Sequence, residues 1–116
     1  MNIVFYHNPR CSKSLAVQAL LQEKELTYKT VEYLNEPPSK TDLIELLDAL
    51  DLPPHALLRS GDSDFKALKL DAQDLDQDQV VDLLLQHPKW FQRPVVVVDG
   101  QARIGRPIEN IESILP

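Results

Sequence analysis

The sequence predicts an α/β fold, in which a β-α-β unit and a β-β-α unit flank a helical insertion of about residues 39–88. Three observations predict it: an apolar run followed by a helical pattern, capped amphipathic helices in the middle, and a β-branched run with a tight turn near the end. A helix between two strands favours parallel pairing and a tight hairpin requires antiparallel pairing, so the sheet should be mixed. We expect one domain over residues 1–116.

The first third of the chain carries the signals of a strand, a helix and a second strand. Residues 3–6 are an apolar run, and residues 27–33 are rich in β-branched and aromatic side chains. Between them lies a helical pattern that ends near Lys24. Its predicted apolar side consists of Leu15, Ala19 and Leu20. These two strands should pair in parallel.

The middle of the chain is predicted to be helical. Ser39 is a good N-cap residue, and Asp42 stands at the capping-box position. The apolar positions of this helix are Leu43, Leu46, Leu47 and Leu50. Prolines at 53–54 end the helix and open a short one towards Arg59. Asp76 caps a further helix that ends before Pro88. Its apolar residues include Val80, Leu84 and Leu85.

The final third returns to strands. Residues 95–98 are a β-branched run, and Asp99-Gly100 is a strong two-residue hairpin signal before a partner strand at residues 102–104. Pro107 suits the first position of a closing helix. The buried stripe of that helix is predicted to be Ile108, Ile111 and Leu115.

Composition restricts the possible functions. The chain is 43% hydrophobic and 26% charged, which suits a globular domain, and its net charge of −6 disfavours non-specific binding to nucleic acid or membrane surfaces. Any anion must therefore be gathered by a local cluster of cations. One cysteine excludes an internal disulfide, and no apolar run reaches the ~18 residues of a membrane span. Because strand-like sequence begins at Asn2, we expect no secretory leader and a cytoplasmic location.

Cys11 lies where the first strand passes into the first helix. Unpaired backbone N–H groups and the helix dipole at such a position favour a thiolate and can bind an anion. Arg10 and Lys13 add positive charge beside it. A lone cysteine is often a small buried hydrophobic residue, but this polar, basic turn favours a reactive thiol.

Two neighbours of Cys11 are candidates for supporting roles. Ser14 stands where a dithiol redox protein has its second cysteine, so an oxidised or adducted Cys11 needs a thiol from another molecule. His7 is either a cationic neighbour of the thiolate, a hydrogen-bonding orienter, or a loop histidine that caps backbone groups. Histidine and cysteine show no metal-ligand spacing, and Val17 occupies the position where a tyrosine-phosphatase-like loop requires arginine.

Three of the five arginines lie at boundaries between predicted elements. Arg59 precedes a Ser-Gly pair, whereas Arg93 and Arg106 each precede a proline, which holds the preceding residue extended. The guanidinium group is suited to binding tetrahedral oxyanions through paired hydrogen bonds. Arginines at loop ends are also commonly solvated surface residues, and that reading stays open for each one taken singly.

The motifs together resemble those of the glutaredoxin-coupled arsenate reductase family, and most of all its short bacterial members. They are Y-H-N-P-R-C-S-K-S at residues 6–14, L-L-R-S at 57–60, Q-H-P at 86–88, R-P-V-V-V at 93–97 and R-I-G-R-P at 103–107. The match covers nearly the whole chain in the family's order. The resemblance implies a thioredoxin-like core with a helical insertion.

The resemblance also implies residue roles. Cys11 would be the nucleophile, with His7 lowering its pKa and Ser14 supporting the thiolate. The family's substrate-binding arginines map onto three positions, namely Arg59, Arg93 and Arg106. The proline after the second of these, Pro94, is expected to follow a cis peptide bond. The chain departs from the family at Ser12-Lys13, where small uncharged residues are common.

The implied activity is reduction of arsenate to arsenite through a Cys11 adduct. Glutathione would be the co-substrate and glutaredoxin a transient partner, with no metal and no tightly bound cofactor, and the protein is expected to be a monomer. One alternative is a glutathione-linked thiol-redox protein without oxyanion activity. The other is a redox-sensing regulator that binds RNA polymerase, with the acidic segment 71–78 as its contact face, although that segment also fits a solvated, helix-capping stretch.

Overall fold

The structure is a computed structural model that describes residues 2–116. The chain forms two compact units. The first, here called the sheet unit, comprises Met1–Glu36 and Arg93–Pro116, and the second, the helical unit, comprises Pro37–Gln92. The helical unit therefore corresponds to the predicted insertion of about residues 39–88. That residues 1–116 form one domain stays a prediction.

Four strands make up the sheet. They are β1 (Ile3–His7), β2 (Lys29–Glu32), β3 (Val95–Val98) and β4 (Gln101–Ile104). Their order is β2-β1-β3-β4, with β1 parallel to β2 and every other neighbouring pair antiparallel. The predicted mixed sheet is thus confirmed, although β2 is shorter than the predicted 27–33.

The turn between β3 and β4 has the backbone that its sequence predicts. Asp99 and Gly100 have φ values of 48° and 87°, and both are therefore in the left-handed region, which a type I′ hairpin requires. Asp99 is also tied to the start of the chain, because its Oδ1 accepts a hydrogen bond of 2.6 Å from the Asn2 N–H.

The core of the sheet unit lies between the sheet and two helices, α1 (Ser12–Glu23) and α5 (Glu109–Glu112). Its buried residues come from β1, α1, β3 and α5, and they are Ile3, Phe5, Val17, Leu21, Val96, Val98 and Ile111. Burying an aliphatic side chain of this size contributes about 1.5–3 kcal/mol. This core fixes the start of α1 relative to the end of β1, where Cys11 lies.

The predicted apolar side of α1 is wrong for Leu15 and Ala19, which are exposed, whereas Leu20 packs against the core as predicted. The buried residues are Ser14, Val17 and Leu21, whereas Leu15 is 44% exposed. These three follow an i, i+3, i+7 spacing, so they share one face of the helix. The pattern of apolar residues alone does not predict this face, because one of its buried residues is the polar Ser14.

The closing helix α5 begins later than predicted. Pro107 precedes it, and the Pro107 carbonyl accepts a turn hydrogen bond of 3.1 Å from the Asn110 N–H. Ile111 is buried, and Ile108 and Leu115 pack against the same core, so the predicted stripe is confirmed.

The helical unit contains α2 (Lys40–Leu50), α3 (Ser63–Ala67) and α4 (Gln77–Gln86), with short 3-10 helices at Pro54–Leu57, Ala72–Asp74 and Pro88–Trp90. The predicted capping box of α2 is present: Ser39 Oγ accepts from the Asp42 N–H at 3.1 Å, and the Asp42 carboxylate accepts from the Ser39 N–H at 3.2 Å. Asp76 caps α4 in the same way. Leu85 lies outside the buried face of α4 and is 41% exposed, and Val81 is buried instead.

None of the helices within residues 2–116 combines the length and the apolar character that crossing a membrane requires.

Candidate active site

The loop that carries Cys11 is held by Asn8. The Asn8 carbonyl accepts a hydrogen bond of 3.0 Å from the Cys11 N–H, and the Asn8 Oδ1 accepts one of 3.0 Å from the Arg10 N–H. Its Nδ2 donates to the Tyr33 hydroxyl at 3.4 Å. This Asx turn delivers Cys11 to the N-cap position of α1, with φ −103° and ψ 123°. From the sequence, the Asn8-Pro9 pair was interpreted only as the turn signal that ends the first strand, with no part in holding Cys11.

The Cys11 sulfur faces an arginine from the far end of the chain. The Arg106 Nη2 lies 3.6 Å from the sulfur, and the Arg106 Nε–H donates to the Arg93 carbonyl at 2.7 Å. The second hydrogen bond orients the guanidinium group towards the thiol. Cys11 itself is only 9% exposed.

Opposing effects set the pKa of Cys11. Burial acts to raise it, but the backbone N–H groups of Ser14 and Lys13 and the charges of Arg93 and Arg106 outweigh burial, so the pKa lies below its ordinary value. Both amides belong to the first turn of α1, so the N-terminus of this helix stabilises the negative charge on the sulfur. The net result favours the thiolate, which is the nucleophilic form.

Arg93 contributes an unpaired donor. Its Nε is buried and has no hydrogen-bond partner among residues 2–116. A buried N–H without a partner is costly, at about 1–3 kcal/mol, and such a group marks a place where a ligand can bind. The Arg93–Pro94 peptide bond is cis, and the Pro94 carbonyl accepts a hydrogen bond of 2.8 Å from the Gly105 N–H.

Gly105 is a second residue that sequence interpretation missed. A Cβ at this position would lie 2.8 Å from Pro94 Cγ, 3.1 Å from Val17 Cγ2 and 3.2 Å from Ile111 Cγ1. Only glycine allows β4 to approach Pro94 this closely. Gly105 therefore helps to fix the distance between the backbones that carry Arg93 and Arg106.

His7 and Ser14 form a buried hydrogen-bonded pair. The His7 Nδ1 lies 2.6 Å from the Ser14 Oγ, which also accepts from the Asn8 N–H at 3.0 Å. When the His7 Nδ1 is protonated, it donates to the Ser14 Oγ and leaves the Ser14 hydroxyl proton for another acceptor. When the Nδ1 is unprotonated, the Ser14 hydroxyl donates to it instead. Ser14 acts on the Cys11 thiolate through its backbone N–H.

The charge state of His7 follows from its surroundings. Burial lowers its pKa, and the nearby Glu32 carboxylate opposes this only in part. The lowered pKa favours a neutral imidazole at pH 7. The geometry thus favours the hydrogen-bonding role over the cationic one.

The remaining predicted site residue lies in the helical unit. Arg59 is half-buried there, and its backbone N–H donates to the Trp90 carbonyl at 2.7 Å. Its assignment as a substrate-binding arginine stays a prediction. Within residues 2–116, no three His, Cys, Asp or Glu side chains are grouped in a way that could hold a metal ion.

A mixed four-stranded sheet with a cysteine at the N-terminus of its first helix defines a thioredoxin-like protein. A sequence profile of the ArsC family matches residues 6–114, and the chain belongs to that family. The resemblance inferred from the motifs is thereby confirmed.

Known proteins similar to this chain support the same assignment. A protein of Neisseria meningitidis serogroup A named arsenate reductase is 40% identical over 114 residues, which cover 97% of this chain and 97% of the relative. An arsenate reductase of Acidiphilium multivorum is 34% identical over 115 residues, covering 99% of this chain and 82% of the relative. The solved structure of an arsenate reductase from Vibrio cholerae is 39% identical with a TM-score of 0.91, covering 99% of this chain and 98% of that chain.

Proposed function

We propose that the protein is an arsenate reductase in which Cys11 is the nucleophile. The observation that carries the proposal is the position of the Cys11 sulfur. It lies 3.6 Å from Arg106 Nη2 and near Arg93, whose buried Nε has no hydrogen-bond partner in the described part of the chain. A thiolate beside two guanidinium groups suits attack on a tetrahedral oxyanion. Relatives named arsenate reductase, 34% and 40% identical to this chain, support the choice of arsenate.

In the first step, the Cys11 thiolate attacks arsenic. A sulfur–arsenic bond forms, and one arsenate oxygen leaves as water after taking up protons. Arg93 and Arg106 would hold the remaining oxygens and offset the negative charge that gathers on them. The proposal that Arg59 is the third substrate arginine depends on the family resemblance alone.

In the second step, an external thiolate attacks the Cys11 sulfur. The sulfur–arsenic bond breaks and its electron pair stays on arsenic, which reduces As(V) to As(III) and releases arsenite. A mixed disulfide between Cys11 and the external thiol is left. Because Cys11 is the only cysteine, resolving this disulfide requires a second external thiol.

We propose glutathione as the first of these thiols and glutaredoxin as the second. The cysteine count supports the need for external thiols, and the family resemblance supports these two. A monomeric protein acting in a reducing cytoplasm, with no metal and no tightly bound cofactor, completes the proposal.

The test is arsenite formation from arsenate with glutathione and glutaredoxin present. We expect Cys11→Ser to abolish turnover and Arg93→Ala to reduce kcat/KM for arsenate by about 100-fold, the lower end of what losing one transition-state donor costs. Arg103→Ala is the matched control, because Arg103 donates to the Ala102 carbonyl, and it should keep the wild-type rate.

The same assay separates the alternatives. Arsenate reduction by Cys11→Ser at the wild-type rate would refute the mechanism. Thiol transfer from glutathione mixed disulfides without arsenate-dependent turnover would identify a thiol-redox protein instead.

A further inference from the structure

The segment around Cys11 differs in charge from the rest of the chain. The protein has 18 acidic and 12 basic residues, yet neither Asp nor Glu occurs between residues 2 and 22. The first turn of α1 likewise contains no acidic residue. Cys11 therefore lies in a basic segment of an acidic chain, and the carboxylate that acts on this site, that of Glu32, lies beside His7.

Two basic side chains in this region take no part in the proposed chemistry. Arg10 directly precedes Cys11 and Lys13 follows it by two residues, and both are exposed. Neither forms an ion pair within residues 2–116, where the ion pair found joins Lys89 to Asp64. We call Arg10 and Lys13 the cationic rim.

The cationic rim is free to act on an approaching molecule. Arg106, in contrast, is already engaged with the Arg93 carbonyl and the Cys11 sulfur. Exposed charges act on an incoming ion over about a Debye length, ~10 Å at 0.1 M salt. Arg10 and Lys13 are close enough in sequence to Cys11 to lie within that range of a molecule that reaches the sulfur.

We propose that the cationic rim makes Cys11 selective for small thiols and disulfides that carry carboxylates, over neutral or cationic ones. Glutathione, with two carboxylates and one ammonium group, belongs to this class. The inference rests on the proposed function in one respect, namely that Cys11 is a nucleophilic thiol. Lys13, where this chain departs from the family, would then help to determine which thiols react with Cys11.

The reaction that tests the proposal is thiol–disulfide exchange. The Cys11 thiolate attacks one sulfur of a small disulfide, a new disulfide bond forms, and the other half leaves as a thiolate that takes up a proton. Three probes of similar size differ in charge: dithiodipropionate is dianionic, hydroxyethyl disulfide is neutral and cystamine is dicationic. Rates are divided by those of a neutral model thiol, which removes the intrinsic reactivity of each probe.

We expect Cys11 to prefer the anionic probe over the neutral one by about tenfold at ~0.01 M salt, and the cationic probe to be slowest. The preference should nearly vanish at ~1 M salt, where the Debye length falls to ~3 Å. Arg10→Gln and Lys13→Gln should each lower the anionic-to-neutral ratio several-fold. Taking this ratio within each variant removes any change in the pKa of Cys11.

Lys24→Gln is the matched control. It removes the same charge from the opposite end of α1, 11 residues or about 16 Å from Lys13, and should keep the wild-type ratio. A wild-type ratio of one or less would overturn the proposal. So would a ratio that Arg10→Gln and Lys13→Gln leave unchanged. Arsenate is absent from this assay, so its outcome is independent of whether the protein reduces arsenate.

Discussion

At the scale of single residues, the reactivity of Cys11 depends on a balance. Burial favours the neutral thiol, whereas the amides of Ser14 and Lys13 and the charges of Arg93 and Arg106 favour the thiolate. Arg106 combines a charge with direct contact at 3.6 Å, and its orientation is fixed by the Arg93 carbonyl. Removing this side chain should therefore shift the balance towards the neutral thiol.

We predict that Arg106→Ala raises the pKa of Cys11 and slows its reactions at neutral pH several-fold, because an opposite charge beside the sulfur is lost. The ultraviolet absorbance of the thiolate, followed against pH and corrected with Cys11→Ser, measures this. Arg103→Ala, which removes an equal charge elsewhere on the sheet unit, should leave the titration unchanged. A titration of Arg106→Ala that coincides with the wild type would contradict the account.

His7 leads to a prediction about stability. Because burial lowers its pKa below the ordinary 6.5, the folded protein binds this proton less readily than the unfolded chain does. The stabilising effect of neutral His7 is thus fully present above pH 6.5 and is lost as pH falls through the lower, folded pKa. The slope is at most about 1.4 kcal/mol per pH unit, the limit for one proton.

The free energy of unfolding, measured by denaturant titration of the wild type and of His7→Gln from about pH 7.5 to about pH 5, checks this prediction. As the pH is lowered, the free energy of unfolding should decrease in the wild type and decrease less steeply in His7→Gln. Equal slopes for the two proteins would show that His7 is not the titrating group.

At the scale of elements, the strands and loops of the sheet unit are held at fixed distances by close contacts. Gly105, just after β4, approaches Pro94 so closely that a methyl group there would lie 2.8 Å from Pro94 Cγ. The three neighbours of that methyl group are side chains of a loop, of α1 and of α5. Relief of the clash would require Pro94 or residue 105 to shift, and the side chains of Val17 and Ile111 to give by a smaller amount.

Gly105→Ala should therefore destabilise the protein by about 1–3 kcal/mol, the usual cost of overpacking. It should also slow Cys11, since Arg93 and Arg106 would be displaced. Gly61→Ala is the control, because a Cβ there meets nothing within 4 Å, and its effect should stay within about 0.5 kcal/mol. Urea unfolding of both variants gives the comparison, and a neutral Gly105→Ala would show that this contact is not tight.

Elements with a local chemical code were predictable from sequence. The Ser39 capping box and the Asp99-Gly100 turn are determined by a few adjacent residues, and the structure contains both. The buried face of α1 was not predictable from its apolar pattern, because Ser14 is buried through hydrogen bonds with His7 and Asn8. Burial of a hydrogen-bonded polar residue is invisible to a pattern that separates only apolar from polar.

At the scale of the whole molecule, the site depends on contacts distant in sequence. Arg106 and Cys11 are 95 residues apart, and no local signal joins them. The strand and helix patterns of the sequence predicted Cys11 at a helix N-terminus. The grouping of the arginines around it rested on the family resemblance. The structure adds the orientation of Arg106, the Arg93 Nε that has no partner among residues 2–116, and the neutral state favoured for His7.

Charge is also distributed unevenly over the molecule. A net charge of −6 repels anions in general, so arsenate must be attracted by a local field. Arg93 and Arg106 provide such a field at the sulfur, where their charges lower the pKa of the thiol. In the proposed mechanism the same two charges also bind the oxyanion. An anion bound there should compete with the thiolate for the same positive charges.

The pH dependence of Cys11 alkylation, measured with and without arsenate or sulfate, tests this arrangement most directly. The account predicts a midpoint below that of an ordinary cysteine thiol, and slower alkylation with an upward shift of the midpoint when either anion is bound. A midpoint at or above the ordinary value of about 8.5, unaffected by either anion, would contradict it.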